Sequence, residues 1–74
     1  MGMGETIKLL DVVALAEDIP QHGLTRGQVG TVVELLAPGV FEVEFLDDDG
    51  HVYATAALNT EQLMLLHYRP AHSA

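Results

Sequence analysis

Seventy-four residues with no cysteine bound the chain to one domain, without disulfides or thiolate metal ligands. Eleven acidic residues against three basic ones give a formal net charge of −8, which repels phosphate backbones and anionic membrane surfaces. Nucleic acid is therefore disfavoured as a partner and no membrane is expected, and Lys8, Arg26 and Arg69 are too scattered to form a basic stripe.

The opening Met1-Gly2-Met3-Gly4-Glu5 lacks a basic region followed by an apolar one, so no secretory signal is expected there. No apolar run approaches the ~20 residues of a spanning helix, and a cytoplasmic location is expected. Asp11–Ala16 reads as a first strand. A long loop, Glu17–Gly27, follows, broken by Pro20, Gly23 and Gly27. Val29–Leu36 is rich in β-branched residues and predicts a second strand. Ala37-Pro38-Gly39 turns the chain into the cleanly alternating Val40–Leu46, and Asp47-Asp48-Asp49-Gly50 turns it again into a fourth strand, His51–Ala57. Asn59-Thr60-Glu61 predicts one helical turn and Gln62–Leu66 a short fifth strand. The single domain spans 1–74, with an ordered core expected over about 8–66 and a disordered tail from His67.

The register of the hairpins follows from period-two alternation. A three-residue turn at Ala37–Gly39 sets Leu36 opposite Val40, Leu35 opposite Phe41 and Val33 opposite Val43. One face then carries Val33, Leu35, Phe41, Val43 and Phe45, continued by Val52, Ala54 and Ala56. The other carries Val32, Glu34, Glu42 and Glu44. The expected fold is all-β: a small five-stranded SH3-like barrel, or a strongly bent antiparallel sheet, with one short helical turn.

No catalytic residue, cofactor site or metal site is expected. Gly27-Gln28-Val29-Gly30 precedes a strand, whereas a phosphate-cradling loop needs a helix after it; a tight turn or bulge is the better reading. Asp47-Asp48-Asp49-Gly50 lacks the later glutamate of a calcium loop and has the chemistry of a hairpin turn. His22, His51, His67 and His72 have no zinc-like spacing. Glu42 and Glu44 alternate on a solvated face, and Ser73, the only serine, lies in the tail.

The chain is apolar on more faces than one core can use. Leu9-Leu10, Val12-Val13 and Leu63-Met64-Leu65-Leu66 present apolar side chains in both directions. Leu9, Leu10, Val12, Val32, Leu36, Val40, Met64 and Leu66 are the candidate interface residues. A core this small gains from association, so a homodimer is expected, with strand exchange as one form it could take.

Leu10-Asp11-Val12-Val13-Ala14-Leu15, Gly23-Leu24-x-Arg26-Gly27-x-x-Gly30-Thr31-Val32-Val33-Glu34, Glu42-Val43-Glu44-Phe45 and Gln62-Leu63 resemble the bacterial family catalogued as domain of unknown function 4926. The similarity extends over nearly everything from Lys8 to Leu66 and implies a stand-alone bacterial domain with no established activity. A looser similarity joins Gly27–Val32 to KOW-type and nitrile hydratase β-subunit barrels. The function expected is a non-catalytic, acidic protein-interaction module that self-associates or binds a protein partner. A KOW-like RNA- or ribosome-associated domain, resting on Arg26 and Tyr53, is the alternative, and an accessory barrel of a larger enzyme complex is a third.

Overall fold

The computed structural model describes residues 6–66. The expected disordered tail from His67 lies outside the described residues, as do residues 1–5. Five strands form: β1 Val12–Leu15, β2 Val29–Ala37, β3 Val40–Leu46, β4 Val52–Asn59 and β5 Leu63–Leu65. They make one antiparallel sheet in the order β4-β3-β2-β1-β5. The sheet is not closed, so of the two expected forms it is the open one, with β4 and β5 at its edges.

β3 behaves as its alternation predicts. Phe41, Val43 and Phe45 are buried on the inner face, while Glu42 and Glu44 lie half-buried on the outer one. β2 does not, because two irregularities interrupt it. Leu35 opposes Phe41 and Glu34 opposes Glu42, as expected, but Val32 rather than Val33 opposes Val43. A bulge places an extra residue on one strand and so inverts the faces beyond it. Val32 is consequently enclosed in the core at 0 % exposure, and Val33 is 36 % exposed. Leu36 does not oppose Val40 either: Ala37 does, leaving a two-residue Pro38-Gly39 turn with Gly39 at φ 76. Leu35 is exposed because β1 accompanies β2 only along Val29–Thr31, so the distal half of β2 extends past it beside β3 alone. A further irregularity between Phe45 and Leu46 turns Val52, expected inside, out to solvent, while Ala54 and Ala56 keep their inner positions.

The core receives help that the strand pattern does not contain. Ile19 and Leu24 face each other across an isolated bridge, with Ile19 N–H donating to Leu24 O at 2.9 Å and the reverse bond at 3.1 Å. Both are buried with Ile7 in the cluster formed by Val13, Leu15, Val43, Phe45 and Leu58. The segment expected as a plain loop is thus a core-covering hairpin around a 3-10 turn, Pro20–His22. The expected helical turn forms at Thr60–Gln62 and is held by a reciprocal cap. Asn59 Oδ1 accepts from Gln62 N–H at 3.2 Å, and Gln62 Oε1 accepts from Asn59 N–H at 3.0 Å. That cap releases the chain at the angle from which β5 pairs with β1, Leu15 against Leu63 and Val13 against Leu65.

Candidate interaction surface

Because one face of the sheet is the core, every other strand residue belongs to an outer face, and rows across that face follow from the register. One row runs Val29, Ala14, Met64 over β2, β1 and β5. Ala14 is buried in its middle, while Val29 and Met64 are each about half exposed. A second row runs Thr55, Glu44, Thr31, Val12, and Leu66 N–H donates to Val12 O at 3.0 Å at its end. A third sets Ala57, Glu42 and Glu34 side by side. The outer face is therefore divided: apolar over β1, β5 and the start of β2, acidic over β3 and the middle of β2.

Three of the candidate interface residues, Val12, Met64 and Leu66, gather on the apolar half, joined by Val29, which was not among them. Leu9 and Leu10 form the tip of a turn leading into β1, closed by Asp11 N–H donating to Lys8 O at 3.1 Å and Lys8 N–H donating to Asp11 Oδ2 at 2.7 Å. Leu10 is 75 % exposed and sits at φ 71, where a leucine is strained. Leu36 and Val40 lie apart, near the β2–β3 turn, Leu36 exposed and Val40 half-buried. Val32 is a correction: the bulge that follows it leaves its side chain inside, and it can meet no partner.

The acidic half is built at a cost. Glu34 and Glu42 are directly opposed across β2 and β3, and like charges in that position destabilise a sheet. Apart from His51, every titratable charge from Gly27 to Leu66 except the phenol of Tyr53 is a carboxylate. Glu34→Lys is expected to stabilise the fold by roughly 0.2–1 kcal/mol. Urea melts at low and high salt should show the gain shrinking as salt screens the pair.

The remaining candidates resolve into local structure. Asp47, Asp49 and His51 bring ligand atoms within 4.8 Å of one another, all exposed. Asp47 Oδ1 accepts from Asp49 N–H and His51 N–H, each at 2.9 Å, which is the bonding of the β3–β4 turn itself. Gly27 N–H donates to Leu15 O at 2.8 Å in the turn before β2, and Gly30 is a strand residue opposite Val13. Gly27 thus serves the expected turn, whereas Gly30 lies in neither a turn nor a bulge but within the regular pairing of β2 with β1. Tyr53 packs on Phe45, with ring centroids 6.5 Å apart, and its hydroxyl accepts from the Gln28 side-chain amide. Arg26 is exposed, and its N–H donates to Asp18 Oδ1 at 2.8 Å. His22 lies in the Pro20–His22 turn, exposed; His67 and His72 are outside the described residues. Among the described residues no helix is long and apolar enough to cross a membrane.

A family model described as Domain of unknown function (DUF4926) matches residues 9–65, well over half of the chain. No curated protein and no solved structure matches it.

Proposed function

The chain belongs to the DUF4926 family, and from that premise we propose that it is a non-catalytic protein-interaction module that self-associates through the apolar half of its outer sheet face. The observation that carries the reading is the pair of half-exposed side chains Val29 and Met64 flanking the buried Ala14, beside the partly exposed Val12 and Leu66. Half-exposed valine and methionine in one row, with Val12 and Leu66 beside them, make a grouped apolar surface, and grouped apolar surfaces mark interaction sites where single exposed side chains do not. Leu10 supports it: its N–H donates to Val32 O at 2.7 Å, one residue past Thr31, the partner of Val12, so this strained and exposed leucine lies at the border of the same surface.

A homodimer about a two-fold axis would place this patch against its own copy. A strand-exchanged form would move β5, whose three residues pair with β1 alone. The acidic half opposes close approach, and a Debye length of about 8 Å at physiological salt screens much of that repulsion. Light scattering at micromolar concentration and moderate salt is expected to give twice the mass of one chain, falling toward one at low salt. A single-chain mass throughout overturns self-association.

Leu10→Gly separates this role from folding. Relief of the left-handed strain, about 1 kcal/mol, is partly offset by the added backbone entropy of glycine. The melting temperature should stay level or rise by a few degrees. The dimer should nevertheless weaken, moving the concentration at which light scattering reports single chains upward several-fold.

A further inference from the structure

We infer that the open edge of β4 is a second docking site, which takes an extended, basic segment of another protein as an added antiparallel strand. The inference rests on the reading of the chain as an interaction module, but it uses the opposite edge of the sheet from the apolar patch.

β4 ends the sheet order, and among the described residues no main-chain bond reaches its outer side. The direction of its backbone groups follows from one bond. Val40 opposes Asn59, and Thr60 N–H donates to Gly39 O at 3.1 Å. A bond between the residues flanking an opposed pair identifies a pair that does not itself exchange hydrogen bonds. Alternation from there gives Leu58, Ala56 and Ala54 to β3, and leaves the N–H and C=O groups of Thr55 and Ala57 pointing outward.

Proteins protect such an edge with lysine, proline or inward charge. Val52–Asn59 reads Val-Tyr-Ala-Thr-Ala-Ala-Leu-Asn, with no charge and no proline. Its pairing irregularity at Tyr53 disturbs only the start of the strand; from Ala54 to Asn59 the pairing is regular and the edge unguarded, and its side chains above the outer face are small where the free backbone groups lie.

Charge decides the occupant. Thr55 is directly opposed to Glu44, and Ala57 to Glu42. A strand added beside β4 would therefore put alternate side chains in line with Thr55–Glu44 and Ala57–Glu42 on the same face. Lysine or arginine there reaches over the small Thr55 and Ala57 toward the two carboxylates, and relieves the like-charge pair Glu34–Glu42 behind them. The intervening side chains would fall on the inner face beside Ala54, Ala56 and Leu58, where apolar residues fit. Asp47–Asp49 precede this strand and Glu61 follows it, so both ends favour a cation as well. A second copy paired through β4 would instead set two acidic halves side by side. The recognised pattern is basic and apolar in alternation, bound by strand addition.

The test uses a labelled synthetic peptide alternating lysine and valine, titrated into the full chain at low and physiological salt, with amide exchange read residue by residue. The expected result is saturable binding with new protection at the amides of Thr55 and Ala57. Glu42→Gln with Glu44→Gln should weaken it about tenfold, and Ala57→Pro should abolish it while circular dichroism and melting stay close to the parent. Proline at this position removes only an outward donor, and the exchange measurement on the parent chain gives the answer even if that variant folds poorly. A peptide of the same composition with lysines and valines in separate blocks should bind at least tenfold more weakly. Equal binding of the block peptide, or protection elsewhere than Thr55 and Ala57, overturns the inference in favour of unspecific charge attraction. Concentration-dependent protection of those amides without peptide, lost in Ala57→Pro, overturns it in favour of a second copy. If no peptide binds while light scattering still reports a dimer sensitive to Leu10→Gly, this edge site falls and the apolar-patch reading stands.

Discussion

Phe45→Ala is expected to cost about 3–5 kcal/mol and to leave much of the protein unfolded at room temperature. Phe45 is 1 % exposed and is among the largest fully enclosed side chains. It lies on β3, the central member of the β2–β3–β4 meander, and shares its face with Val43 and Ala54. Its truncation removes transferred apolar surface and leaves a cavity that a sheet tied on both sides cannot collapse to fill. A domain of this size lies near the low end of the usual 5–15 kcal/mol, so the loss takes most of what there is. Equilibrium urea unfolding measures it directly. Val33→Ala is the matched control: alternation alone would put Val33 in the same core, and the bulge puts it at the surface. Its expected cost is about 1 kcal/mol or less. Equal losses from the two changes would mean that β2 has no bulge.

Gly30→Ala is expected to be comparably damaging, at about 3 kcal/mol, although it adds a single methyl group. A Cβ built at Gly30 would lie 2.7 Å from Val43 Cγ1, 2.8 Å from Glu44 O and 3.0 Å from Phe45 Cδ2. The carbonyl decides the matter, because it belongs to the β2–β3 ladder and cannot withdraw without opening it. At roughly 4–8 °C per kcal/mol for a domain this small, the melting temperature should fall by roughly 12–24 °C. Gly27→Ala provides the contrast. Nothing lies within 4 Å of its added Cβ, but its φ of +93 strains any side chain, at about 1–2 kcal/mol. A thermal melt in which Gly27→Ala is the worse of the two would place the tight approach at the turn rather than in the strand.

These changes also separate what local pattern encodes from what it does not. β3 was legible residue by residue, because no bulge interrupts its strict alternation of Phe41, Val43 and Phe45 with Glu42 and Glu44. The turns were legible because proline, glycine and aspartate impose their own backbone geometry. The turn is one residue narrower than the Ala37-Pro38-Gly39 sequence predicts, because Ala37 extends β2. Ile19 and Leu24 were missed for the opposite reason. Two isolated apolar residues in a run broken by proline and glycine carry no period, and their burial comes from pairing with each other and closing over strands distant in sequence.

The candidate surface divides along the same line. That this chain has surplus apolar residues, and that Glu42 and Glu44 share a face, is set by composition and alternation within one strand. Which of those residues meet is set by non-local pairing: β5 joins β1 across most of the chain and brings Met64 and Leu66 beside Val12 and Val29. The bulge after Val32 then removes that residue from the surface and puts Val33 there in its place, while Glu34 stays opposite Glu42 as the turn alone predicts. A period of two specifies faces only while pairing stays regular. Where the extra residue of a bulge falls depends on how the neighbouring strands and the packed core bend together, and that is a property of the tertiary structure alone.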